Sequence, residues 1–190
     1  MPVIRGQIPE NINYANGGQV VKPEEKPQNS SFIDSAIKEL IEREGGFVNN
    51  PKDRGGPTKY GITQKTLSDF RGKNASIEDV KNIDKKEAAE IYKDKYYRKP
   101  EINKLPENVR EQVFDISVNS GPSTAIKMLQ ETAGIKEDGV VGPQTIAESK
   151  NVSPNSLVEN RIKFYKDIVK NDPSQKEFIE GWINRAKEFK

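Results

Sequence analysis

The sequence predicts a mainly α fold with one small β element, on three observations. From residue 31 onward, apolar residues recur at helical spacing in one segment after another. Capping residues or prolines stand where those segments begin. No run of alternating apolar and polar residues is long enough to build a sheet.

Ser31, with Asp34 at the acidic third position, opens the first helix, and Ile33, Ala36, Ile37, Leu40 and Ile41 give it one apolar face. Gly45-Gly46 ends it. Residues 45–62, rich in Gly, Pro, Asn and Asp, read as a loop or small hairpin, with Tyr60-Gly61-Ile62 as a short strand. Thr63 caps a short helix reaching about Phe70. Asp84 and Glu87 have capping-box spacing ahead of a helix with Ala88, Ile91, Tyr92 and Tyr96 on one side. Pro106 suits the first turn of the next helix. Val109, Val113, Phe114, Ile116 and Val118 make that helix apolar on more than one side, which predicts a central, buried position. Gly121-Pro122 breaks it and starts another, through Leu129. Gly142-Pro143, Ser153-Pro154 and Asp172-Pro173 mark three later starts. The last two helices carry Leu157, Val158, Ile162, Tyr165, Ile168 and Val169, then Phe178, Ile179, Trp182, Ile183 and Ala186.

Residues 1–30 differ from this body. They contain four Pro, three Gly, four Asn and three Gln, with Tyr14 as the one aromatic, and read as a flexible arm or linker.

Composition narrows the chemistry. The 190-residue chain has no cysteine and no histidine. That excludes disulfides, thiolate nucleophiles, Ser-His-Asp arrangements and histidine- or cysteine-held zinc. For an enzyme built from these residues, carboxylates are the leading candidates for acid–base work, with lysine and tyrosine as the weaker ones. No metal and no cofactor is expected. The 31 basic and 29 acidic residues leave a net charge of +2, without the basic bias of a nucleic-acid binder. No apolar run is long enough to span a bilayer, and residues 1–12 lack the apolar stretch of a secretion signal. The expected protein is a monomer made in a cytoplasm, with no nucleic-acid partner and no membrane insertion.

Glu44 stands out. At about 100° per residue it lies roughly 20° from the apolar stripe that begins at Ile33, whereas Glu42 lies on the opposite side. It also sits in the last helical turn, where the dipole disfavours negative charge. Partial desolvation there would favour the protonated acid. Five glycines follow between Gly45 and Gly61 and allow the chain to fold back, bringing Asp53 and Thr58 toward Glu44. A glycosidase needs an acid for the leaving oxygen and a second carboxylate as nucleophile or activator of water. Asp53 suits the second role and Thr58 suits holding the water. Tyr60 is a candidate stacking or floor residue. Asn119, four residues after Asp115, offers a donor and an acceptor to sugar hydroxyls and acetamido groups.

The ordered string Glu44-Gly45-Gly46-Phe47, then Asn49-Asn50-Pro51-x-Asp53-x-Gly55-Gly56-x-Thr58-x-Tyr60-Gly61-Ile62-Thr63, resembles glycoside hydrolase family 108, which contains phage endolysins and bacterial muramidases. Phe114-Asp115-x2-Val118-Asn119-x-Gly121, Leu129-Gln130-x3-Gly134, Asp138-Gly139-x2-Gly142-Pro143-x-Thr145, Arg161-x2-Phe164-Tyr165 and Gly181-Trp182-x2-Arg185 resemble the predicted peptidoglycan-binding region of that family. The resemblance covers about 31–189. It implies a lysozyme-like helical fold, with residues 31–105 as the catalytic part and 106–190 as a helical, peptidoglycan-binding-like part. It implies cleavage of the N-acetylmuramic acid–N-acetylglucosamine backbone with Glu44 as the catalytic acid. The order Glu, eight residues, Asp, four residues, Thr also resembles the triad of small phage lysozymes. Its Asp–Thr gap is one residue shorter than in many of them, so the roles of Asp53 and Thr58 stay open. The implied setting is the cell wall, reached through a holin pore or aboard a virion. A lytic transglycosylase using the same acid, and a non-catalytic wall-binding or virion structural protein, are the alternatives.

Overall fold

A computed structural model of the chain describes residues 30–48 and 56–190. The fold is mainly α and lysozyme-like, with one two-stranded antiparallel sheet among the described residues. The expected arm, residues 1–30, lies outside the described residues except for Ser30, as do Asn49 to Gly55 and with them Asp53.

Helix α1 (Ser30–Glu44) buries Ile33, Ile37 and Ile41 along one stripe. It already includes Ser31, so Asp34 falls beyond its first turn. Asp34 instead accepts from Lys93 at 2.9 Å and ties α1 to the helix packed against it. Gly45, at φ 74, takes the left-handed conformation that ends α1. The chain then enters a small β element. Val48 and Thr58 exchange backbone hydrogen bonds of 2.8 and 2.9 Å. Strand β1 (Thr58–Lys59) pairs with β2 (Ile62–Thr63), Thr58 opposite Thr63 and Lys59 opposite Ile62. The expected strand at Tyr60-Gly61-Ile62 is therefore corrected. Tyr60 and Gly61 form the two-residue turn, both at positive φ (52 and 70), because a connection this short matches strand twist only in a left-handed turn.

Thr63 caps α2 (Gln64–Arg71), accepting from the backbone N–H of Thr66. The capping box of Ser76 and Asp79 opens α3 (Ile77–Lys81). Asp84 caps α4 (Lys85–Lys93) through the backbone N–H of Glu87. The Glu87 carboxylate does not complete a box. It receives Arg71 Nε and Nη2 at 2.8 and 3.0 Å, while Arg71 Nη1 reaches Asp79 at 2.8 Å. One guanidinium thus fastens α2, α3 and α4.

Helix α4 runs on into a wider π turn, Asp94–Arg98, closed by Lys99 N–H donating to the Asp94 carbonyl at 2.9 Å. Then comes α5 (Glu107–Ser120), preceded by Pro106 and as buried as its sequence predicts. Its Val109, Val113, Phe114 and Ile116 join Ile33 and Ile37 of α1 and Ile91 of α4 in one core. Gly121 turns the chain into α6 (Pro122–Thr132), whose Ile126 and Leu129 extend that core. After α7 (Pro143–Glu148), α8 (Pro154–Asn171) and α9 (Ile179–Lys187) close the fold. Val158, Tyr165 and Ala186 form a second cluster between α8 and α9.

Two of the C-terminal motifs hold the structure together. Gln130, fully buried, donates to Asp138, to the Val140 carbonyl and to Thr145, and its oxygen accepts from Gly139 N–H at 2.9 Å. That single amide locks the loop between α6 and α7. Asp115, Arg161 and Arg185 meet in the second place. Arg161 Nη2 donates to Asp115 at 2.6 Å, and Arg185 grips the same carboxylate with Nε and Nη2. Helices α5, α8 and α9 are joined through this buried acid.

Candidate active site

Glu44 is the last residue of α1, so its backbone is carried by a helix anchored in the core through Ile37 and Ile41. The partial burial expected of it does not occur. Glu44 is exposed, because it lies beyond Ile41, the last buried position of its stripe. The hairpin nevertheless holds it closely. A methyl group on Gly61 would stand 2.9 Å from Glu44 Oε2 and 3.2 Å from Glu44 Cδ. It would stand 2.6 Å from the Tyr92 hydroxyl. Both side chains converge on the space that the missing side chain leaves, and φ 70 at the same residue also favours glycine.

Tyr92, on α4, is 7% exposed. Its hydroxyl donates to the Tyr60 carbonyl at 2.8 Å. Burial, then the Glu44 charge, then Tyr96, push its phenol well above the ordinary value, which favours the neutral hydroxyl as a donor. Tyr96 stacks on it, with ring centroids 5.8 Å apart and planes at 17°. Lys59 Nζ lies 5.2 Å from the centre of the Tyr60 ring and donates to the Lys81 carbonyl.

Of the residues singled out from sequence, Glu44 and Tyr60 belong to this one corner, and Thr58 stands in the strand that leads into it. Thr58 is half-buried in β1, one residue before Lys59 and two before the turn that faces Glu44. Tyr60 is half-buried in that turn. Asp53 lies outside the described residues. Asn119 stands elsewhere. Its amide donates to the Asp115 carbonyl of its own helix at 2.6 Å, and the residue lines a depression of about 190 Å³ with Tyr165, Trp182 and Arg185. Trp182 packs beside Tyr165 and Phe178, at centroid distances of 5.4 and 6.1 Å.

Gly61 and Tyr92 are the members of the corner that sequence reasoning left unassigned. The sequence pattern puts Tyr92 on an apolar helix face. The available signal was its hydroxyl, which needs a partner once buried. Among the described residues, no three His, Cys, Asp or Glu side chains gather as a metal site. No described helix is long and apolar enough to cross a membrane.

The corner can present one carboxyl group beside a rigid turn at an open surface, the requirement for protonating a leaving oxygen on a long polymer. Comparison with known proteins agrees with a carbohydrate substrate. The family model described as glycosyl hydrolase 108 matches residues 37–121, which include α1 from Ile37, the hairpin and all of α5. A model described as a predicted peptidoglycan domain matches residues 124–187. The solved structure of Brucella abortus SagA is 33% identical, covers 84% of this chain and 92% of its own, and superposes with a TM-score of 0.62. No functionally curated protein matches the chain. The chain belongs to the glycosyl hydrolase 108 family, as a glycoside hydrolase of peptidoglycan whose hydrolase segment is followed by a peptidoglycan domain.

Proposed function

We propose that this protein is an N-acetylmuramidase, cleaving the β-1,4 bond between N-acetylmuramic acid and N-acetylglucosamine with Glu44 as the general acid. The observation that carries the reading is the convergence of Glu44 and Tyr92 on the space above Gly61. A carboxyl group at a helix end, open on one side and backed by a hairpin on the other, can reach a glycosidic oxygen without the enzyme enclosing the strand. Glu44 gives its proton to the leaving 4-oxygen of the glucosamine. Asp53, with Thr58, then stabilises the oxocarbenium-like charge or orients the water that completes hydrolysis. Tyr60 offers a ring at the edge of the same turn, and Asn119 a more distant polar contact along the strand. An endolysin-type role, with the enzyme delivered to the wall by a phage, suits this activity.

Mass spectrometry of products from purified peptidoglycan tests the proposal, with wild type and Glu44→Gln compared. Reducing muramic acid ends from wild type alone are the expected result. Anhydro-muramic ends would keep Glu44 as the acid and make the enzyme a transglycosylase. A folded Glu44→Gln protein with wild-type turnover would refute the assignment.

A further inference from the structure

We infer that Tyr92 is the positioning residue of this site: its hydroxyl holds the left-handed turn at Tyr60-Gly61 and so sets where the Glu44 carboxyl group stands. The inference rests on the reading of Glu44 as the acid.

Tyr60 is one of two non-glycine residues at positive φ among the described residues. Such a conformation persists in a non-glycine residue when its surroundings over-determine it. Two sets of contacts do that. The Tyr92 hydroxyl donates to the Tyr60 carbonyl, and β1 and β2 pair on either side of the turn. Tyr92 is itself fixed from behind. It stacks on Tyr96, whose carbonyl accepts from the buried Ser117 hydroxyl of α5 at 3.0 Å. A continuous set of contacts therefore runs from the central helix through Tyr96 and Tyr92 to the turn beside which Glu44 stands.

The hydroxyl and the Glu44 carboxyl group border the same space over Gly61. The single hydroxyl proton is engaged by the Tyr60 carbonyl, so toward that space the hydroxyl presents an oxygen lone pair. That oxygen can accept a hydrogen bond from the protonated acid and cannot donate one to the carboxylate. Tyr92 thus limits where the Glu44 carboxyl group can stand beside the turn. It touches no substrate in this scheme and acts through Glu44 and the turn.

The test compares wild type, Tyr92→Phe and Glu44→Gln on soluble peptidoglycan fragments. Reducing-end release is measured against substrate concentration, and thermal unfolding is recorded for each protein. Loss of the hydroxyl is expected to lower kcat about 10- to 100-fold, as for a displaced catalytic group, with KM within about twofold of wild type. Tyr92→Phe should remain folded at the assay temperature. An inactive Glu44→Gln beside a Tyr92→Phe of unchanged kcat would overturn the positioning role and leave the acid assignment standing. Wild-type turnover by Glu44→Gln would overturn both. A Tyr92→Phe protein whose lost turnover tracks its unfolded fraction, or whose kcat holds while KM rises, would also overturn the positioning role.

Discussion

Asparagine at position 115 removes one charge from the most enclosed ionic group in the described structure. Asp115 is 3% exposed and Arg161 is fully buried. Asp115 Oδ2 accepts from Arg161 Nη2 at 2.6 Å, and Oδ1 accepts from Arg185 Nη2 and Nε at 2.5 and 2.9 Å. Two guanidiniums already share one carboxylate. Asparagine preserves the shape and one acceptor oxygen but removes the carboxylate charge that both cations share. Arg185, whose side chain is 32% exposed, can turn toward water. Arg161 cannot, since its Nε is held by the Tyr165 hydroxyl at 2.7 Å and its Nη1 is buried without a hydrogen-bond partner. A charge pair about 4 Å apart at an effective dielectric of 20 is worth about 4 kcal/mol. Breaking buried pairs by removing one partner costs about 3–5 kcal/mol. For a fold of this size, about 2–4 °C of Tm is lost per kcal/mol. Asp115→Asn should therefore melt roughly 10 °C below wild type in a circular dichroism scan at neutral pH. Arg185→Ala should lose clearly less, because it leaves the Arg161–Asp115 pair intact. A loss under about 3 °C for Asp115→Asn, or an Arg185→Ala loss equal to it, would show that the buried acid does not hold the three helices together.

Two further outcomes follow from particular contacts. Gly61→Ala should abolish lytic activity at a stability cost of about 1–3 kcal/mol, since its methyl group meets Tyr92 and Glu44 and its φ is left-handed; activity near wild type in a turbidity assay would contradict the described corner. Asp79 is held down at about 2, first by the Ser76 hydroxyl, then by the Ser76 backbone N–H, with Arg71 adding to it. A depressed acid contributes stability above its unfolded value of 3.8 that is lost as pH falls toward its folded one. The Tm difference between wild type and Asp79→Asn should therefore be constant above about pH 5 and shrink toward about pH 2. A difference that does not change across that range would contradict the assignment.

The helices were legible in the sequence because their signals are local. Thr63, Ser153 and the glycine–proline pairs cap or start helices where they were expected, and Val109, Val113, Phe114 and Ile116 marked the buried central helix. Where local reading failed, a longer-range partner competed. Asp34 looked like a capping acid and pairs with Lys93. Glu87 looked like half of a capping box and binds Arg71. Tyr60-Gly61 looked like strand and is the turn, because pairing of Thr58 with Thr63 leaves only two residues to connect the strands.

The site divides in the same way. By itself the sequence narrowed the available chemistry: a chain without histidine or cysteine turns first to carboxylates, ahead of lysine and tyrosine, for acid–base work, and the ordered Glu44 to Thr63 string marked out the segment that bears Glu44. Only the tertiary structure decided which groups surround that acid. Tyr92 lies 48 residues beyond Glu44 in the chain, and no periodicity in α4 distinguishes a tyrosine facing the core from one facing the turn. The two meet because α1 and α4 pack side by side, with Lys93 and Asp34 paired between them, and because Gly61 has no side chain to keep them apart. Local propensity sets where each helix starts and stops, whereas a contact between distant residues depends on how the helices pack, which no single segment encodes.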